Sequence, residues 1–174
     1  MSSRRLSYAA LLVAVGLTGV YADPIPNFEV LTLVAFASGI LLGARDGALV
    51  GALSESIYSL LNPYGAAHPL VTLAQVAGLA LSGAMGGVAA SAGISERAPV
   101  SRAFALGLLG LGLTFVFDLV TNLASGLVYG QMRAILIGGI PFSLLHIGTN
   151  VLLFAVAGTP VVSVFSRYRA RLCS

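Results

Sequence analysis

Residues 102–126 read RAFALGLLGLGLTFVFDLVTNLASG, and no charged residue falls between Arg102 and Asp118. A helix needs roughly 20 apolar residues to cross a bilayer, so this stretch is long and apolar enough to span one. The rest of the chain has the same character. Of its 174 residues, 57% are apolar and only 9% are charged, and the mean hydropathy is +0.97. Soluble domains carry about one-quarter charged residues, which comes close to excluding a water-soluble globule. Disorder is excluded too, because this much apolar surface cannot stay solvated. At about 20 residues per crossing, the length allows at most about seven or eight spans. The fold class is therefore all-α: a small polytopic integral membrane protein, one transmembrane domain over residues 1–174.

Breaks fall where Pro, Gly, Asn and charges gather. They divide the chain into six hydrophobic helices, about 6–22, 28–44, 47–62, 69–93, 102–126 and 140–166. The connectors are short except 127–139, which holds Gly130, Gln131, Arg133 and the pair Gly138–Gly139. Pro141 follows that pair and is expected in the first turn of the last helix, where its missing N–H costs nothing, the other reading being a longer helix kinked at the proline.

All nine basic residues are arginine, and they are scattered at segment ends. That distribution is a topology signal rather than a nucleic-acid patch, and no nucleic-acid partner is expected. With the N-terminus inside, Arg4, Arg5, Arg45, Arg97, Arg102, Arg167, Arg169 and Arg171 fall on the cytoplasmic side, eight of the nine. Arg133, Asp23 and Glu29 fall outside. The positive-inside rule then places both termini in the cytoplasm. Residues 1–22 also have the form of a signal peptide, with Arg4–Arg5, an apolar run and Val20-Tyr21-Ala22 before Asp23. Ala9, Ala10, Ala14, Gly16 and Gly19 suit a packing face, so a retained first helix is expected. The single cysteine, Cys173, rules out an intrachain disulfide and any multi-cysteine metal site.

Gly39, Gly43, Gly47 and Gly51 recur every four residues, and Ala10 and Ala14 repeat the spacing on the first helix. Such stripes let another backbone approach closely. They serve either packing within the chain or docking against another membrane protein.

Polar residues inside the apolar runs are more informative. An ionised side chain at mid-bilayer costs about 2.5–3.5 kcal/mol, so it needs a partner, a wet cavity or a task. Glu55 lies in helix three among Ser54, Ser56, Tyr58 and Ser59, and Gln75 lies two turns into helix four. Asp118, Asn122 and Ser125 share one face of helix five, as Ser143, His146 and Asn150 do of helix six. From a rise of about 1.5 Å per residue, His146 is expected about 8 Å below the outer end of its helix, with Gln75 at similar depth. Asn122 and Ser125 fall near the outer end of helix five, Tyr64 and His68 in the outer loop beside Gln75, and Glu55 and Asp118 deeper. The set converges on the outer half of the membrane, as a pocket open to the outside would. Taken singly, each Asn or Ser also fits an interhelical hydrogen bond worth about 0.6 kcal/mol. His146 fits a core histidine paired with Asp118.

Catalytic signatures are missing from the sequence. There is no G-x-S-x-G, no H-E-x-x-H, no carboxylate-rich metal cluster and no Walker A loop. Neither enzymatic activity, a metal nor a cofactor is expected, and the chain cannot itself drive ATP-fuelled work.

Three stretches carry a resemblance. Pro26-Asn27-Phe28-Glu29 followed by ASGILLGARDGALVGALSE (37–55), FDLVTNLASG (117–126) and PFSLLHIGTNVLLF (141–154) resemble helices two and three, five and six of the substrate-binding S-components of bacterial energy-coupling factor transporters. The nearest look is to the cobalamin-type and uncharacterised vitamin-type branch. The resemblance implies six helices with both termini cytoplasmic, in a bacterial or archaeal cell membrane. It implies a vitamin or cofactor precursor bound between the outer ends of helices four to six and the first, third and fifth loops. It also implies docking through small residues of helices one to three onto a membrane scaffold, the T-component, which is bound to two cytoplasmic ATPases. Ala10 and Ala14 match that family's A-x-x-x-A docking motif, and Gly39, Gly43, Gly47 and Gly51 extend the small-residue surface. The expected pocket residues are Asn27, Glu29, Tyr64, His68, Gln75, Asn122, Ser125, Ser143, His146 and Asn150, with Glu55 and Asp118 supporting or packing. The chain has no Trp, so Tyr64 or Phe142 would have to stack any ring. The rival readings are a proton-coupled carrier relaying protons through Glu55, Asp118 and His146, an intramembrane enzyme, and a scaffold that binds nothing.

Overall fold

Helix is the only regular structure in the computed structural model, which describes residues 2–22, 29–63 and 65–173. The helices are α1 (Ser3–Ala22), α2 (Leu31–Leu42), α3 (Ala44–Leu60), α4 (Pro69–Ser91), α5 (Pro99–Tyr129), α6 (Met132–Val156) and α7 (Gly158–Cys173), with a 3-10 turn at Ile94–Glu96 before α5. Among the described residues α4, α5 and α6 are each long and apolar enough to cross a membrane. Proline opens α4 and α5, where a missing N–H is no loss.

Two boundaries differ from expectation. The connector expected over 127–139 is helical: α5 runs to Tyr129, α6 starts at Met132, and only Gly130 and Gln131 turn the chain. Gly130 makes that turn in the left-handed region, at φ 65°. Pro141 therefore sits inside α6 rather than in a first turn. A mid-helix proline costs about 3 kcal/mol. An open loop would leave several backbone groups unpaired in an apolar medium at several kcal/mol each, so the helix persists. The last expected helix, 140–166, is instead two, because α6 stops at Val156 and α7 begins at Gly158. Pro160 fits the break: it has no N–H for the carbonyl of Val156, and it falls in the first turn of α7, where that loss is smallest.

Glycine decides how α2, α3 and α4 meet. Gly43, at φ 90°, is the single residue between α2 and α3, so the two helices fold back on each other. A Cβ on Gly39 would lie 1.9 Å from the carbonyl oxygen of Gly83, and one on Gly86 would lie 1.8 Å from that of Phe36. A Cβ on Gly47 or Gly51 would likewise strike the backbone of Gly83 or Leu79. The stripe read from the sequence is thus a seam within the chain. Gly39, Gly47 and Gly51 are buried against α4 and present no outward docking face, which corrects that expectation for them. Gly43 serves the turn. Ala10 and Ala14 lie on the exposed side of α1.

Beyond the seam, Phe36, Ile40, Leu106, Phe154 and Val162 form a core joining α2, α5, α6 and α7. The rings of Phe36 and Phe154 tilt at 57° with centroids 5.2 Å apart, within the range of favourable aromatic contacts. Arginine fastens one end of the bundle. Arg5 pairs with Asp46 at 2.7 Å and also donates to the carbonyl of Leu42, tying the start of α1 to the α2–α3 turn. Arg102 is buried and donates to the carbonyls of Ser95 (2.6 Å) and Arg97 (2.9 Å) and to the Ser163 hydroxyl, joining the 3-10 turn, α5 and α7.

Candidate functional site

The face shared by His146 and Asn150 on α6 turns inward, and both residues are buried. Asp118 on α5 comes to 2.8 Å from Nδ1 of His146 through its Oδ1. From the other side Glu29, just ahead of α2, brings Oε1 to 3.3 Å from Nε2 of His146. Asn150 Nδ2 donates to the same Oε1 at 3.3 Å. Thr32 anchors Glu29, its N–H donating to Oε2 at 2.9 Å and its hydroxyl to Oε1 at 2.6 Å. The sequence supplies this local geometry: a carboxylate three residues before a helical Thr satisfies free N–H groups at the start of α2. Phe117 stands edge-on to the imidazole with centroids 6.0 Å apart and closes one side.

Hydrogen counting constrains the charge of this trio. Both nitrogens of His146 face carboxylate oxygens, and each contact requires a proton. With no third proton on either carboxyl, the two protons leave the imidazole and the two carboxylates at a net charge of −1. Acceptors are left over as well. Asp118 Oδ2 and Asn150 Oδ1 are buried without a hydrogen-bond partner among the described residues, as are the hydroxyls of Thr114 and Thr121 on α5. A buried unmet polar group costs about 1–3 kcal/mol, so such a cluster invites a further partner.

A second polar group joins α3 to α4. The Ser59 hydroxyl lies 3.0 Å from Glu55 Oε1 and 3.3 Å from Gln75 Oε1, one hydrogen facing two acceptors. Beside Asp118 a cleft of about 260 Å³ opens between α5 and α6. Asp118, Asn122 and Ser143 are its polar lining, between apolar walls that include Phe115, Leu119 and Ile140.

The expected pocket residues thus separate. Glu29, His146 and Asn150 meet, and Asp118, expected only in support, pairs directly with His146. Gln75 meets Ser59 and Glu55. Asn122 and Ser143 line the cleft. Ser125 donates to the Thr121 carbonyl of its own helix at 2.9 Å, and His68 is exposed and caps α4 by accepting from the Leu70 N–H at 3.2 Å. Neither of these two reaches the cluster. Asn27 and Tyr64 lie outside the described residues. The depth of His146 also changes: it is 14 residues along α6, about 21 Å from its start, because that helix begins earlier than expected. Thr32 and Thr114 escaped notice in the sequence. The signals were there, in the i, i+3 spacing from Glu29 and the i, i+4 spacing to Asp118.

The fold and the cluster define an all-helical membrane protein with a buried, charged polar site. Comparison with known proteins finds no family model, no curated protein and no solved structure that matches the chain.

Proposed function

We propose that the chain is the substrate-capturing membrane subunit of an ATP-driven importer of the energy-coupling factor type, taking up a vitamin or cofactor precursor. One observation carries this reading: Glu29, Asp118, His146 and Asn150, which meet in the buried cluster, all come from the stretches that resemble S-components. A site built by segments so far apart in sequence suits a ligand that is surrounded and withdrawn from water. Helices α1 to α6 then make six crossings, and both termini lie in the cytoplasm of a bacterial or archaeal cell. The T-component scaffold and two ATPases supply the energy, and the exposed Ala10 and Ala14 face of α1 is the surface offered to the scaffold.

Mass spectrometry of small molecules released from the gently purified protein tests the reading. A near-stoichiometric vitamin-like compound is expected, with uptake that requires an ATPase module. Asn122→Ala should weaken its binding about tenfold while the protein stays folded. An unoccupied protein that co-purifies with no ATPase and supports no uptake would overturn it. The Glu29–His146–Asp118 chain favours one second reading, a proton-coupled carrier. Uptake that collapses with the proton gradient and needs no ATPase would select it.

A further inference from the structure

We propose that the ligand of this site is an organic cation, an N–H-bearing ammonium group on an apolar body, received by Asp118 at the α5–α6 cleft; this rests on the capture reading above and names its substrate class.

The charge count leads there. With both carboxyls ionised, the Glu29–His146–Asp118 trio is net negative, and Glu55 is a further buried carboxyl. Among the described residues no arginine forms an ion pair with any of these carboxyls. Arg102 and Arg133 are the arginines of α5 and α6. They lie 16 residues before Asp118 and 13 before His146, about 24 Å and 20 Å along their helices. A net charge in an apolar interior is costly, and a cation of charge +1 cancels it. The unmet groups have the matching sign. Asp118 lines the cleft, and its Oδ2 only accepts hydrogen bonds when the carboxyl is ionised, so it calls for a donor. A carboxylate or phosphate ligand would bring acceptors to acceptors.

Geometry favours an organic cation over a metal ion. The two carboxylates of the trio occupy opposite nitrogens of one imidazole and do not converge on a single point, and no metal-holding group of three is found among the described residues. The cleft has Asp118 as its one ionisable lining residue and Asn122 and Ser143 as further polar ones, with apolar walls elsewhere. Ile140 and Phe115 are exposed on the outer surface of α6 and α5, so an apolar body can rest between the helices while its ammonium lies against Asp118.

The experiment uses the full chain in lipid nanodiscs and three probes of one shape: 2-phenylethylammonium, 2-phenylethanol and 3-phenylpropionate. Equilibrium dialysis against empty nanodiscs measures binding to the protein alone. The ammonium should bind saturably and at least tenfold tighter than the alcohol or the acid, and Asp118→Asn should lower its affinity at least tenfold. Ile140→Trp fills the cleft from its exposed side and should block binding, which keeps the cleft testable if Asp118→Asn does not fold. Equal binding of all three probes, as at a cleft that takes lipid tails, would overturn the proposal, as would preference for the acid or binding by neither charged probe. The two readings fail separately. A neutral or anionic compound released from the purified protein would remove the cation and keep the capture role. Selective ammonium binding without ATPase-dependent uptake would do the reverse.

Discussion

His146 commits both ring nitrogens to carboxylates, so removing its ring strands Asp118 on one side and weakens the hold on Glu29 on the other. Breaking a buried ion pair from one side costs about 3–5 kcal/mol, whereas replacing both partners with apolar residues of similar size is often neutral. His146→Ala is therefore expected to destabilise the protein by about 3 kcal/mol in detergent unfolding titrations. The pair Asp118→Leu with His146→Leu should recover more than half of that loss. A single variant as stable as the parent would mean that these contacts contribute nothing to the fold. At this scale the sequence was partly legible. The i, i+4 spacing of His146 and Asn150 placed them on one face, and Asp118 was a visible candidate partner. Glu29 is 117 positions from His146, and no local pattern reports a contact across that distance.

Among the helices, the close approach of α2 and α3 to α4 depends on backbone meeting backbone. Gly83 is buried, and a Cβ there would come within 2.0 Å of the Gly47 carbonyl oxygen, which cannot swing away as a flexible side chain can. Gly83→Ala should cost at least about 3 kcal/mol, the upper end of ordinary overpacking. Gly112 in α5 has nothing within 4 Å of its Cβ position. There Gly112→Ala should stabilise by up to about 1 kcal/mol, the helix-propensity gain. Thermal unfolding of the two variants in one detergent checks the opposite signs, and equal shifts would discard the seam. The glycine spacing was readable in the sequence, but spacing does not say whether a stripe faces inward or outward. The α5–α6 turn is obscured in the sequence for a related reason. Gly130, Gly138, Gly139 and Pro141 punctuate chains in water, while an apolar surrounding holds the helix through most of them.

Across the whole molecule, Arg5 at the start of α1, Arg45 at the start of α3, and Arg97 and Arg102 around the start of α5 mark one end, and the Gly130–Gln131 turn marks the other. Tyr21 donates to the Leu61 carbonyl at 3.3 Å, which brings the last turns of α1 and α3 together at the end away from the arginines. If the arginine end faces the cytoplasm, a membrane-impermeant maleimide should label the single Cys173 in inverted vesicles but not in intact cells. In a Cys173→Ser background, Gln131→Cys should give the opposite pattern. Labelling of both positions from one side would discard the six-crossing topology, and the swapped pattern would reverse it. Composition made the membrane class plain, because apolar content is a bulk property. The helix ends depended on single prolines and glycines, whose effect changes with the surrounding medium.

The glycine seam also bears on how this sequence can drift over evolutionary time. Gly47 and Gly83 each forbid a side chain on the other, and Gly39 and Gly86 are blocked by neighbouring carbonyls, so no compensating change at a second site restores room. Exposed positions on α5 and α6 such as Phe104, Leu108, Leu127 and Leu152 carry no such constraint. Distant relatives should therefore keep the glycine ladder of α2, α3 and α4 while their lipid-facing residues vary freely. An ancestry for this chain would be traced through the ladder and lost on its outer surface.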